Sequence, residues 1–143
     1  MEKIICAVCN APEAIEVRKT RETKYKQMPV VLKDVSLYEC QRCGEEFFSA
    51  TQSREFFRRL KEECRRNLGL LSPEHIIAIR RRYNLNQDDL EKLLGMGQKV
   101  VTRWERGKVL QTKPVDDLLR LMEQLPQIVE KLREFRRQEE HTE

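Results

Sequence analysis

Two cysteine pairs constrain this chain more than any other feature: Cys6-Ala7-Val8-Cys9 and Cys40-Gln41-Arg42-Cys43, separated by 30 residues. Two residues between cysteines let both thiolates of a tight turn reach one ion, and two such turns complete the tetrahedral sulfur shell that zinc accepts. Gly44, directly after the second pair, permits the backbone turn of such a knuckle. The expected site is a structural one, with Cys6, Cys9, Cys40 and Cys43 holding a single Zn2+ per chain. Free buried thiols or a dithiol redox centre are the alternatives, but neither predicts two matched pairs, and a redox CxxC normally opens a helix in a βαβ setting. Four thiolates also leave no coordination position open for hydrolysis.

Between the pairs, residues 14–21 and 28–40 are rich in Val, Leu and Tyr with partial alternation, which predicts a small antiparallel sheet joining the knuckles. A module of this size with few large apolar groups owes much of its folding to the ion. A helix is expected over about 51–68. It carries Phe56, Leu60 and Cys64 at successive i+4 positions, so Cys64 reads as a core residue and not as a fifth ligand.

From Ser72 the pattern changes. Ser72-Pro73-Glu74 combines an N-cap, a first-turn proline and an acidic residue, followed by Ile76, Ile79 and Tyr83 at helical spacing. Asn86 caps a second helix over 87–94, with Leu90, Leu93 and Leu94 as its apolar face and Gly95 as its end. A third helix is expected over 98–106, with Val100, Val101 and Trp104 facing inward and Gln98, Lys99, Thr102, Arg103 and Arg106 facing outward. Two helices joined by a short glycine-containing turn form the DNA-binding helix-turn-helix, whose second helix enters the major groove. In that geometry Gln98 suits adenine, Lys99 or Arg103 suits guanine, and Thr102 suits a thymine methyl or a phosphate.

The net charge of +4 is unevenly spread: residues 1–72, 73–113 and 114–143 carry +3, +4 and −3, so the middle segment is the one suited to a polyanion. Two more helices follow. One opens at Pro114 with a stripe of Leu118, Leu119, Met122 and Leu125, and Leu118 and Leu121 are assigned to the helix-turn-helix core. The other starts near Pro126, and its Ile128, Leu132 and Phe135 are assigned to dimerisation. His75 and His141 read as surface residues without ligand spacing to the cysteines. The expected domains are 1–50 for zinc, 51–71 for a bridging helix and linker, 72–135 for DNA binding and dimerisation, and 136–143 for a charged tail.

The run from Leu94 to Gly107, LGMGQKVVTRWERG, resembles the recognition-helix signature of Cro-type and Xre-type phage repressors. By that resemblance Gln98, Lys99, Thr102 and Arg103 contact bases and backbone, and Gln87 grips a phosphate. Gly97 departs from the Ser or Thr cap usual there. Taken with the CxxC…CxxCGEE module, the chain over about 4–135 is similar to MqsA-type antitoxins, whose N-terminal part is a YgiT-type zinc finger. The resemblance implies an α+β chain, with a small β-rich zinc-binding domain followed by an all-α, phage-repressor-like helix-turn-helix domain. It also implies a homodimer through the C-terminal domain, binding of a palindromic double-stranded operator, and neutralisation of a cognate toxin, an mRNA-cleaving ribonuclease, by the zinc domain. The toxin is expected to meet the edge near residues 18–35. The alternative is a stand-alone helix-turn-helix regulator whose zinc module senses metal or redox state. An enzyme is not expected, since no catalytic triad, phosphate loop or open metal position is present. The absence of a long apolar run predicts a cytoplasmic protein without a membrane segment.

Overall fold

The computed structural model describes residues 2–141. The chain divides between Cys64 and Arg65 into two compact units.

The first unit is built on a four-stranded antiparallel sheet in the order β1 (Lys3–Ile4), β2 (Ala14–Tyr25), β3 (Met28–Cys40), β4 (Glu46–Phe47). β2 and β3 form a hairpin turned at Lys26 and Gln27, whose φ values of 47° and 71° match the left-handed pair that a two-residue turn between twisted strands requires. β2 runs on past the expected 14–21 because Glu22, Thr23, Lys24 and Tyr25 pair onward to the turn.

Register along the hairpin slips once. Lys19 faces Val35 but Arg21 faces Leu32, so Thr20 stands opposite both Lys33 and Asp34, and Asp34 takes a φ of 56°. This bulge shifts the side-chain alternation by one residue, which keeps Val30 and Leu32 on the same buried face as Val35 and Leu37. Arg59 donates from Nη1 and Nη2 to the carbonyls of Asp34 and Lys33, giving acceptors at the bulge the partner that the ladder no longer supplies.

Arg59 lies on α1 (Ala50–Leu68). That helix starts in a reciprocal cap: the Gln52 amide donates to Ser49 Oγ at 3.1 Å and the Ser49 amide to Gln52 Oε1 at 2.9 Å. Gln52 Nε2 also donates to Ser36 Oγ on β3. Leu60 and Cys64 are buried on its inner side, as their spacing predicts, and burial raises the Cys64 thiol.

The second unit contains five helices: α2 (Pro73–Arg82), α3 (Gln87–Leu94), α4 (Val100–Glu105), α5 (Lys113–Gln124) and α6 (Gln127–Glu140). Their starts and stops follow the local chemistry. Ser72 Oγ accepts from the His75 amide, Asn86 and Asp89 cap each other reciprocally, and Gly95 closes α3 at φ 68°. The core gathers Leu71, Ile76, Ile79, Leu90, Leu93, Val101, Trp104, Leu119, Met122 and Val129.

One expectation needs correction. Leu121 is 44% exposed, because at this register of α5 it is Leu119 and Met122 that face inward. Ile128 and Leu132, assigned to dimerisation, are partly buried and pack against the core of their own chain, since α6 folds back on α3 and α5, whereas Phe135 is 49% exposed. His75 is less simple than a free surface residue, its Nε2 lying 2.7 Å from Glu123 Oε2.

Several polar residues are buried in this unit, Asp116 most completely. Asp116 is fully buried and accepts from the Leu71 amide at 2.8 Å, Gln111 Nε2 at 3.0 Å and Arg120 Nε at 2.9 Å. Burial opposes its charge, but the Arg120, Leu71 and Gln111 hydrogen bonds outweigh that cost and hold its carboxyl below the usual range. Among the described residues, no helix is long and apolar enough to cross a membrane.

Candidate metal centre and nucleic-acid interface

Cys6, Cys9, Cys40 and Cys43 come together at one end of the sheet, with all four sulfur atoms within 4.8 Å of one another. Cys6 Sγ lies 3.7 Å from Cys43 Sγ, and Cys9 Sγ lies 3.7 Å from Cys40 Sγ. A tetrahedral ion with metal–sulfur bonds of about 2.3 Å needs sulfur–sulfur edges of roughly 3.8 Å, so the four residues fit such an ion.

The two knuckles share one local plan. The Val8 and Cys9 amides point at Cys6 Sγ, and the Arg42 and Cys43 amides point at Cys40 Sγ. Each turn then closes on a left-handed residue four positions after its first cysteine, Asn10 at φ 64° and Gly44 at φ 78°, whose amides donate to the Cys6 and Cys40 carbonyls. Asparagine and glycine are the residues that adopt this conformation most readily.

The electrostatics of the cluster differ from one sulfur to the next. The amide of Cys9 lowers the Cys6 thiol more than burial raises it, and with the Val8 amide brings it to about 7; Cys40 is lowered in the same way by the amides of Cys43 and Arg42. At Cys43 the Glu45 amide also pulls the thiol down, but burial and the neighbouring Cys9, Cys40 and Cys6 thiols prevail and push it up to about 12. Backbone amides thus favour ionisation at two of the sulfurs, while burial and the neighbouring thiols oppose it at a third. A divalent ion at the centre removes that opposition. The surrounding core is thin, with Cys6, Ala14 and Cys40 buried and Ile4, Tyr38 and Phe47 packed on them.

Residues 18–35, expected to meet a partner, form the outer reach of the hairpin. β1 pairs only with Ala14 and Ile15, and β4 only with Tyr38 and Glu39, so neither short strand covers this stretch. Val31 is half-exposed there.

In the second unit, α3, the turn after it and α4 form the helix-turn-helix. Gln98, Lys99 and Arg103 are exposed, while Gln87 and Thr102 are half-buried. Trp104 and Val101 face the core, as expected. The expected helix over 98–106 is shorter: α4 begins at Val100, and Gln98 and Lys99 lie in the turn. The physical reason is the missing cap. Gly97 offers no hydroxyl, and Lys99 precedes the helix at φ 69° with no side-chain cap of its own.

Gln87 and Thr102 are tied together. Thr102 Oγ1 donates to Gln87 Oε1 at 2.8 Å, and Gln87 Nε2 donates to Glu105 Oε1 at 3.0 Å. Glu105 is gripped in turn by Arg80, through Nε at 2.8 Å and Nη2 at 2.9 Å, and this hydrogen-bonded partner raises the Arg80 guanidinium further. The amide of Gln87 is thus oriented from both sides, and Glu105 acts as scaffold between Gln87 and Arg80. Sequence reasoning missed Glu91, which is 4% exposed and whose Oε2 accepts from the Val101 amide at 3.0 Å. The available signal was an acidic residue directly beside Leu90 on the inward face of α3. An open groove of about 400 Å3 runs along this surface, lined by Asn86, Gln87, Glu91, Gln98, Lys99 and Thr102 among others.

Comparison with known proteins places these features in context. Residues 4–133 match the family model described as the antitoxin component of bacterial toxin-antitoxin system, MqsA. The chain is also similar to Antitoxin MqsA of Escherichia coli (strain K12), with 24% identity over 129 residues that span 90% of this chain and 98% of that protein.

Proposed function

The chain belongs to the MqsA family of bacterial antitoxins, and from that premise we propose that it binds and silences a cognate toxin through its cysteine-bearing unit and represses its own operon through α3 and α4. The observation that carries this reading is the pairing, in one chain, of a closed four-thiol cluster with a separately cored unit that exposes Gln98, Lys99 and Arg103 on a helix-turn-helix.

The metal in this reading is zinc, bound once per chain by Cys6, Cys9, Cys40 and Cys43. Sulfur-only tetrahedral shells favour it, and the absence of an open position gives it a structural task. The toxin, an mRNA-cleaving ribonuclease by family resemblance, meets the hairpin over residues 18–35. Backbone groups left uncovered along such a strand are ready partners for a strand of another protein.

On the DNA, Gln98, Lys99 and Arg103 read base edges, Thr102 offers its methyl group, and Gln87 turns its remaining amide hydrogen to a phosphate. A palindromic operator requires two copies of the chain. Leu121, Leu125 and Phe135, exposed on α5 and α6, supply apolar surface for that contact. A reducing cytoplasm, where the thiols stay available to zinc, is the compartment that suits this chemistry.

The test is genetic and direct. The small reading frame next to this gene is induced alone and then together with this chain. Growth arrest relieved by co-expression supports the antitoxin reading. Arrest that persists with both proteins soluble, or a neighbour without any toxicity, leaves a stand-alone regulator as the better account.

A further inference from the structure

The turn between α3 and α4 is held at both ends by one residue. The Glu91 carbonyl accepts from the Met96 amide at 2.9 Å, while the Gly95 amide reaches Lys92, so α3 ends in a paired closure around the left-handed Gly95. From the other end, the Glu91 carboxylate reaches across and accepts from the amide of Val101, the second residue of α4, at 3.0 Å. Glu91 and Val101 are both buried, at 4% and 0% exposure. The Val101 amide therefore depends on this carboxylate and not on water.

Between those two anchors stands Lys99, at φ 69° and ψ 2°. A lysine is seldom found in this conformation, because its Cβ crowds the backbone, and it keeps it only where the surroundings over-determine it. Lys99, the residue that precedes α4, makes no side-chain cap of its own. The cap comes from α3, through Glu91, whose side chain lines the same groove as Gln98 and Lys99.

We propose that Glu91 is a positioning residue for sequence readout: by capping α4 from α3 it sets the left-handed backbone from which Lys99 is presented to a base. Glu91 itself touches no DNA. The inference rests on the DNA-binding reading above and extends it to a residue that does its work through another. When the carboxylate no longer reaches the Val101 amide, the start of α4 re-forms, Lys99 leaves its left-handed backbone, and the lysine side chain loses its aim.

The experiment uses the full chain with its metal and two duplexes of equal length, one from immediately upstream of its own gene and one of random sequence. Glu91→Asp keeps the charge and shortens the reach; Glu91→Gln keeps the reach and an acceptor oxygen. The expected result for Glu91→Asp is about a tenfold loss on the upstream duplex, the scale of one base contact, and less than about twofold on random DNA. Glu91→Gln should stay within about threefold of the parent, as a cap needs only an acceptor. In a Lys99→Ala background, Glu91→Asp should cost less than about twofold more, because coupled residues are not additive. Equal losses with and without Lys99, or equal losses on the two duplexes, would overturn the positioning role while leaving DNA recognition intact. A parent chain that binds both duplexes alike would overturn the DNA reading itself.

Discussion

In the unit ending at Cys64, the knuckle end buries Cys6, Ala14 and Cys40 with Ile4, Tyr38 and Phe47 leaning on them, and the apolar stripe of Val30, Leu32, Val35 and Leu37 lies further along the hairpin. In the unit starting at Arg65, Ile76, Ile79, Leu90, Trp104, Leu119 and Met122 meet in one cluster fed by several helices. Both units are small enough for burial alone to give only marginal stability. One adds four convergent thiols, and the other adds caps and a buried polar node at Asp116. The lesson is that a metal requirement is expected in the half of the chain whose core is interrupted by its four convergent thiols.

The largest expected effect breaks the comparison on one side only. Chelation, or Cys40→Ser, should unfold the sheet, since apparent binding energies of structural zinc are on the order of 10 kcal/mol and have no counterpart in the unfolded chain. The helical circular dichroism of the second unit and its melting should remain. Loss of both signals in a single transition would show that the two cores are one.

Next in size, Ile76→Ala removes a fully buried side chain from the helical core and should cost about 2–5 kcal/mol there, read as a lower helical melting temperature at unchanged zinc content. A simultaneous loss of metal would join the two units energetically.

Asp116→Asn sharpens the contrast through pH. The native carboxyl is held below its ordinary value, so its contribution is present above the unfolded value near 4 and fades as pH falls through the lower native value. The asparagine variant should lose about 1–3 kcal/mol at neutral pH, the scale of a charged hydrogen-bond partner, and should show a flatter decline in acid than the parent. Identical acid profiles would remove Asp116 from the account.

The smallest effect is local. Arg103→Ala should leave folding of both units unchanged while costing about 1–3 kcal/mol of operator binding and relaxing preference at one base pair, measured against single-base operator variants. A uniform loss on operator and random DNA would reassign Arg103 to a phosphate.

The parts of the fold that were legible in the sequence are those set by neighbours in the chain. Ser72-Pro73, Asn86 and Gly95 announce their helix ends because capping is completed within a few residues. The cysteine pairs announce a common centre because a knuckle is itself a local turn. What stayed hidden depends on partners remote in sequence. The bulge at Asp34 is defined by its pairing with Thr20, although the shift from Val30 and Leu32 to Val35 and Leu37 records it as a break in alternation. Ile128 and Leu132 form a stripe fit for either another chain or their own core, and only the return of α6 onto α3 and α5 decides between them. At the candidate nucleic-acid interface, the exposure of Arg103 and the burial of Val101 and Trp104 were readable from periodicity. The late start of α4 was not, since it follows from Gly97 and from the long reach of Glu91.

The most direct measurement of the division of labour uses one preparation of the full chain, before and after removal of zinc, assayed in parallel for capture of the neighbouring gene's product and for binding of the upstream duplex. The account predicts that metal removal abolishes toxin capture while operator binding survives. Toxin capture that persists without metal, or operator binding lost at the same point, would contradict it.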